Sequence, residues 1–418
     1  MKVIVIGSGL AGMTAAWFLS RNGCEVTVID RSAGPAMETS FANGSLITAS
    51  LSDPWNSPGV FKTLIGTIGR EDSPMLLRPR AVLGMIGWGV DFLRNSSRPR
   101  FEQAYLRNVR FSKFSQQVMR DLVQEVTLRF DHARCGTLQI FREAAELDGG
   151  IRTARFLEQV NVAHRALSID ELLELQPALA PIASDLAGAI IFPDDEVGDA
   201  HQFCEELRRA CENRGVQFLY SREVVALRRQ HKDIVSVQTV DDTLTADAYV
   251  VAAGSFSAAL LRPLGLRLPI RPAKGYSITM PMGDWPQRPR YPLLDPQLHA
   301  VVVPLGDRLR AAGTAEFTGF DTSITAPRVN NLRGLLRRIY PDFEARLEDA
   351  DVTAWAGLRP MTSDGSPILG RSPIRNLFLN TGHGPLGWTM ACGSGKVVAD
   401  VVCGRDATVD LDGFGYRS

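Results

Sequence analysis

The sequence predicts an α/β fold: a parallel sheet flanked by helices and assembled from separated stretches of chain, with a second, α+β part built on an antiparallel sheet. Three observations predict it. The chain opens with an apolar run, Val3-Ile4-Val5-Ile6, a glycine turn, Gly7-Ser8-Gly9-Leu10-Ala11-Gly12, and a second apolar run, Val26-Thr27-Val28-Ile29, that ends in Asp30. A strand running into a glycine turn returns at 249–254 and again at 377–384. Between these, short apolar runs at 276–279, 299–303 and 309–313 follow one another closely, as the strands of an antiparallel sheet do.

The opening unit is the sequence form of a dinucleotide-binding, Rossmann-like βαβ unit, and each part has a physical job. Gly7 permits the tight turn off the strand. Gly9 has no side chain, so a pyrophosphate can approach the backbone. Gly12 lets the helix over 11–21 pack closely on the sheet. That helix turns its free N–H groups and positive end toward the phosphates, beside Leu10 and Ala11. Asp30 is placed to accept hydrogen bonds from a ribose hydroxyl pair, and an acid there repels a 2′-phosphate.

Length and composition set the bounds. A chain of 418 residues suggests two domains, and 45% hydrophobic residues suffice for full cores. Lys+Arg and Asp+Glu are both 46, so no net charge draws the protein to nucleic acid. The six cysteines, Cys24, Cys135, Cys204, Cys211, Cys392 and Cys403, form no CxxC pair, which fits a reducing, cytoplasmic compartment and gives no metal-ligand pattern. The N-terminal apolar run reads as a strand and not as a signal peptide. No run of about eighteen uninterrupted apolar residues is present, so no spanning helix is expected. One segment, 81–93, is apolar on almost every face and is flanked by Arg78, Arg80, Arg94, Arg98 and Arg100. It reads as a buried helix with solvated arginines at its ends, or as a helix lying in the interface of an anionic membrane.

The remaining elements follow in order. A polar stretch, 33–59, rich in Gly, Ser and Pro, has the composition of a loop that lies against a flat polar ligand. Helical periodicity holds over 101–124 and 148–163, with a strand at 136–141 between them. Ser168-Ile169-Asp170-Glu171 reads as a capped helix start and Gln176-Pro177 as its end. From Gly188 the pattern predicts strands at 189–192, 216–220, 223–227, 234–240 and 246–252 and a helix over 201–213. Helices are predicted over 331–339 and 391–402, with a strand at 377–380 before the second. The domains are therefore expected at 1–60, 188–268 and 355–418 for the discontinuous cofactor domain, and at 61–187 and 269–354 for the substrate domain.

Several blocks occur together and in order: the glycine fingerprint, Glu38-Thr39-Ser40-Phe41-Ala42-Asn43, Gly136-Thr137-Leu138-Gln139, Gly357-Leu358-Arg359-Pro360, and Asn380-Thr381-Gly382-His383-Gly384 continuing through Leu386-Gly387-Trp388-Thr389 to Gly395. Nearly the whole chain resembles the FAD-dependent D-amino acid oxidase (DAO) superfamily, and within it the bacterial D-amino acid dehydrogenase small-subunit type. The resemblance implies an FAD-binding domain and oxidation of a D-amino acid at Cα–N by hydride transfer to flavin N5. It also implies electrons passed to a quinone or respiratory acceptor. Relatives usually continue the Asn43 loop with Ala-Gly-Gln, where this chain reads Gly44-Ser45-Leu46-Ile47-Thr48, and the segment 52–74 also departs from the family pattern. Relatives that tether flavin covalently do so through a cysteine after the Gly-x-Arg segment. Pro360 stands there, so non-covalent FAD is expected.

The resemblance assigns Thr39, Ser40, Asn43, Gly44, Ser45 and Leu46 to the flavin ring. Asp30, Arg31 and the backbone of Val225 go to the adenosine end, and Val225 reads equally as a core strand position. Ala253 and Gly254 close over the cofactor, near Gly357. Gly382, Gly384, Leu386, Gly387, Trp388 and Thr389 face the N1–C2 edge, which becomes anionic on reduction and is stabilised by a helix N-terminus. Arg359 is the candidate ligand of the substrate carboxylate, because a guanidinium binds that group in a two-point fork. Tyr276 reads either as a second carboxylate donor or as a strand tyrosine, His383 either as catalytic or as a loop histidine, and Glu316 as structural. Three alternatives stand beside the dehydrogenase reading. Leu46 and Ile47 would suit a D-proline or D-hydroxyproline dehydrogenase that yields a cyclic imine. An oxidase would use dioxygen. An electron-transfer subunit would leave the substrate site to a partner.

Overall fold

The computed structural model describes residues 1–60, 66, 69, 75–78, 81, 83–345, 347–348 and 351–417. Two sheets carry the architecture. The first has six strands in the order Ile368–Arg371, Leu377–Thr381, Ala248–Val251, Lys2–Ile6, Glu25–Ile29 and Gln217–Leu219, parallel except for the first pair. Alternation along the N-terminal strand sorts its side chains between two cores. Val3 and Val5 face helices Leu10–Arg21, Ala200–Glu212 and Gly387–Val402, while Ile4 and Ile6 face a small sheet of Val224–Gln230, Asp233–Thr239 and Thr243–Leu244.

The second sheet has nine strands. Its path runs Thr353–Thr362, Ile270–Pro281, Arg308–Phe317, Ala300–Leu305, Leu293–Asp295, Thr137–Phe141, Gly188–Phe192 and Arg165–Leu167, and Met75–Leu77 pairs with Arg308–Phe317. Leu332, Leu336 and Ile339 of helix Ala326–Ile339 pack with Tyr276, Ile278 and Met280 in the core under one face of this sheet. Gly275, Ala312 and Arg359 of this sheet line a cavity together with Gly7, Gly9 and Asp30 at the ends of the first sheet's strands.

This topology differs from the expected domain division at two places. Gly188–Phe192 and Thr353–Thr362 both pair inside the nine-stranded sheet, whereas 188–268 and 355–418 are expected in the cofactor domain. An apolar run reads alike in either sheet, and only its pairing partner decides. The C-terminal helix begins at Gly387, four residues before the expected start, so Gly387, Trp388 and Thr389 form its first turn. The capped helix at Ile169–Leu175 is as expected, with a complete capping box between Ser168 and Glu171.

The apolar segment near 81–93 is a helix, Ile86–Asn95, led by a short turn at Leu83–Met85; Arg80 and Val82 lie outside the described residues. Trp88 and Phe92 are buried, and the Trp88 indole donates to Pro269 O at 3.0 Å and Met361 O at 3.2 Å. Ile86, Val90 and Leu93 form the opposite stripe and are 59%, 42% and 37% exposed. The helix is therefore half buried. Among the described residues, no helix is long and apolar enough to cross a membrane.

Candidate active site

Residues of both sheets line one cavity of about 1200 Å³ that runs from the N-terminal glycine turn to Arg359. At its first end, Gly7 has a φ of +105°, and a Cβ there would come within 2.6 Å of Ala252 O. A Cβ on Gly12 would overlap Gly7 O, so Gly12 stands behind the turn and not in the wall, which is the packing role its spacing predicts. Gly9, Leu10 and Ala11 line the cavity where helix Leu10–Arg21 begins, and the Leu10 N–H reaches Ser40 Oγ at 3.3 Å. Asp30 accepts from Ser8 N and Oγ at 2.6 and 2.8 Å and from Ser32 N at 2.8 Å, which holds the carboxylate at the strand end. Arg31 pairs with Glu38 and lies 3.8 Å over the Phe256 ring.

Val225 is not a core position. It is 51% exposed, lines the cavity, and sits where the pairing register slips between Val224 and Ala226. A residue skipped by the ladder keeps its backbone groups free for a ligand. Ala253 and Gly254 line the same region, and a Cβ on Gly254 would meet nothing within 4 Å.

Further along, Thr39 donates to Leu358 O at 2.7 Å, which ties the 33–59 loop to the strand of Arg359. The Asn43 side chain accepts from Ser45 N at 2.9 Å. Ser45 Oγ accepts from Arg310 at 2.8 Å, and Arg310 pairs with Asp199 at 3.3 Å. Arg310 is buried and braces Ser45, and the sequence offers no signal for it. Gly44 and Leu46 line the wall, but Ile47 is 1% exposed and belongs to the core, so only Leu46 of that pair shapes the cavity.

In the C-terminal block, Gly384, Leu386, Gly387, Trp388 and Thr389 line the cavity, and Gly382 does not. Gly382 turns the chain with a φ of +77°. The Trp388 indole donates to Gly198 O at 2.9 Å and packs on Phe203, so its side chain anchors the helix. Thr389 Oγ1 accepts from Thr48 N at 3.1 Å. The first turn of helix Gly387–Val402 opens on the cavity and provides a positive end there.

Arg359 lies on the cavity face of its strand, paired in register with Ala273 while Gly357 pairs with Gly275. A Cβ on Gly275 would overlap the guanidinium, so this glycine is the floor on which Arg359 rests. Trp55 stands 5.5 Å from the guanidinium, and Nη1 donates to Thr314 O at 3.1 Å. Among the described residues no carboxylate pairs with Arg359, and burial lowers its pKa to about 10. A cation kept in such surroundings without a partner costs several kcal/mol. It is what an anionic ligand would offset.

Tyr276 is not brought to that position. Its hydroxyl donates to Glu316 Oε2 at 2.9 Å, and the side chain packs with Leu332 on the helix-covered side. The reason is register: Tyr276 pairs with Ala356, one residue out of phase with Arg359 and Gly357. Glu316 is the centre of a buried cluster with Arg78 at 2.7 Å and Lys274 at 3.5 Å. Burial alone would raise its carboxyl, but Arg78, Tyr276 and Lys274 hold it below the ordinary value, consistent with a structural role. His383 lines the cavity and is 6% exposed, and burial pushes its pKa down to about 4. Ser394 Oγ donates to Ala391 O at 3.0 Å, so His383 Nε2 carries the proton it shares with Ser394 at 3.1 Å. His383 is thus neutral, with Nδ1 left as an acceptor.

The profile of the DAO family, FAD dependent oxidoreductase, matches residues 2–401. The chain belongs to this family. Its similar curated relatives include a D-amino acid dehydrogenase of Paramagnetospirillum magneticum, 42% identical over 99% of this chain and 98% of the relative. Another, from Vibrio vulnificus, is 37% identical over the full length of both. Among solved structures, glycine oxidase from Geobacillus kaustophilus superposes with a TM-score of 0.78 at 23% identity over 99% of this chain and 98% of that one. L-proline dehydrogenase from P. horikoshii superposes at 0.77 and 18% identity over 99% and 96%. These two establish the fold.

The residues present fit FAD. The glycine turn leaves an open backbone edge at a helix N-terminus, Asp30 stands at the end of the second strand, and a skipped backbone at Val225 faces the same space. A second helix N-terminus meets the cavity at Gly387.

Proposed function

We propose that this chain is an FAD-dependent D-amino acid dehydrogenase. The substrate loses a hydride from Cα, its amine lone pair forms the C=N bond, and the imine takes up water to give a 2-oxo acid and ammonia. Bound FAD supplies the two-electron acceptor. Relatives named D-amino acid dehydrogenase at 37–42% identity over the full chain support the reaction. The unpaired Arg359 guanidinium in the cavity is the observation that carries the substrate class.

The protein's own groups have limited work to do. Arg359 grips the α-carboxylate and aligns Cα. Enclosure disfavours the charged ammonium, which frees the lone pair that must form the double bond. No side-chain base is then needed, and His383, neutral and bound to Ser394, stays a wall group. Because Arg359 and the cofactor turn share one cavity, the substrate site belongs to this chain, which disfavours a pure electron-transfer subunit. None of the six cysteines lines the cavity, which supports non-covalent FAD, recovered in the supernatant after acid precipitation.

We further propose a quinone or respiratory chain as acceptor, reached at the membrane surface. The exposed stripe Ile86, Val90 and Leu93 beside Arg94, Arg98 and Arg100 suits shallow insertion among anionic headgroups. Co-sedimentation with vesicles containing phosphatidylglycerol is expected, and Ile86→Glu with Val90→Glu should weaken it at least about tenfold. Unchanged binding in that variant rejects the surface.

Anaerobic flavin bleaching against D- and L-amino acids, with both hydroxyproline epimers included, tests the reaction. Rapid bleaching by D-amino acids alone is expected. Equal rates with both enantiomers, or bleaching by neither, defeat the proposal, and stoichiometric peroxide in air would favour an oxidase.

A further inference from the structure

Asp53, like Arg359, is a charged group that the cavity wall holds without an ion-pair partner among the described residues. It lines the wall two residues before Trp55, the residue that faces the Arg359 guanidinium. Its residue surface is exposed, yet desolvation raises its pKa. Among the described residues it makes no ion pair, with Arg359 or with any other cation, and no side chain hydrogen-bonds to it.

The loop that carries it is built to hold it still. Asp195 accepts from Ser50 Oγ at 2.5 Å and from Thr137 Oγ1 at 2.7 Å. Ser52 Oγ shares a hydrogen bond with Ser112 Oγ at 2.8 Å, and Ser52 O accepts from Asn108 at 3.3 Å. On the other side Pro54 packs directly against Gly365. A carboxylate fixed in an enclosed wall without a cation is a cost that folding alone would not retain. A ligand cation removes that cost, as a ligand carboxylate does for Arg359. Of the other acids of the wall, Asp30 is held by Ser8 and Ser32, Glu38 pairs with Arg31, and Glu223 stands beside Val224 and Val225, at the end away from the Trp55 loop that carries Asp53.

We propose that Asp53 recognises the substrate side chain and that the preferred substrates are D-amino acids with a cationic side chain, of the lysine, ornithine or arginine type. The α-carboxylate binds Arg359, the reacting amine becomes neutral, and the distal cation meets Asp53. This rests on the D-amino acid dehydrogenase reading and names its substrate class.

The test uses the FAD-loaded full chain with D-lysine and D-norleucine, which match in length and differ in the terminal charge, and with L-lysine. The wild type is expected to favour D-lysine over D-norleucine by about tenfold or more in kcat/KM, mainly through KM. Asp53→Asn should lower that ratio about tenfold, and Asp53→Glu should restore part of it. A wild type that takes D-norleucine as well as D-lysine overturns the Asp53 assignment and leaves the reaction standing. An Asp53→Asn variant with an unchanged ratio does the same. Preference for L-lysine over D-lysine, with the charge effect intact and lost in Asp53→Asn, overturns the stereochemistry and leaves Asp53 standing. Oxidation of none of the three overturns both.

Discussion

Arg359 and His383 are both charged in water at acidic pH and both enclosed here, and the protein treats them oppositely. Arg359 stays a cation because its proton is too tightly held to lose, even with its pKa lowered to about 10. Its replacement should therefore separate function from stability. Arg359→Leu is expected to raise the stability of the substrate-free enzyme by about 1–3 kcal/mol, since an unpaired enclosed charge is removed. The same variant should lose kcat/KM about 100-fold or more, the worth of a two-point charged contact. Urea unfolding and steady-state kinetics on one preparation check both. His383 instead gives up its proton, moving from its ordinary 6.5 to about 4. Between these values the unfolded chain holds a proton that the native chain does not. Stability is then complete above pH 6.5 and falls as pH drops toward 4. Relative to His383→Gln, the wild type should lose about 1 kcal/mol per pH unit across that window in denaturant titrations. Equal slopes would show that His383 is not neutral in the fold.

At the scale of elements, the active site depends on which strands are neighbours. Gly275 stands in the strand beside Arg359, and a Cβ there would occupy the guanidinium's place. Gly275→Ala should displace Arg359, raise the KM for D-amino acids about tenfold or more, and leave flavin content near that of the wild type. Flavin loss in that variant would mean that the strand itself had moved. The same pairing explains why Tyr276 was legible as a residue near the substrate but not in its role. Lys274-Gly275-Tyr276 marks a strand that borders the cavity, yet alternation sends the phenol to Glu316 and the glycine to Arg359. The βαβ unit was readable throughout, because its glycines, helix and acid are all local in sequence. Arg310 and Asp53 were not. Each acquires its meaning from contacts with residues far along the chain, such as Ser45 for Arg310 and the Asp195 anchor of the Asp53 loop.

Across the whole molecule, FAD would touch both ends of the chain and its middle. The turn at Gly7, the slipped strand at Val225 and the helix at Gly387 meet only in the tertiary structure. A cofactor that bridges them binds the folded state alone. At a free FAD concentration about 100 times Kd it should add about 2.7 kcal/mol, which for a chain of this size raises Tm by about 3 °C. Thermal melts with FAD concentration as the variable check this, and a Tm indifferent to FAD would argue against the site. The sequence by itself determined the opening βαβ unit and the FAD-dependent family, and it singled out Arg359, which the structure places in the cavity wall. These rest on short-range patterns whose geometry is set by neighbouring residues. The tertiary structure decided which sheet takes strands Gly188–Phe192 and Thr353–Thr362, on which face Tyr276 falls, and which charges are left without partners. Strand pairing and charge compensation are long-range relations, satisfied or left open only when distant segments are packed together.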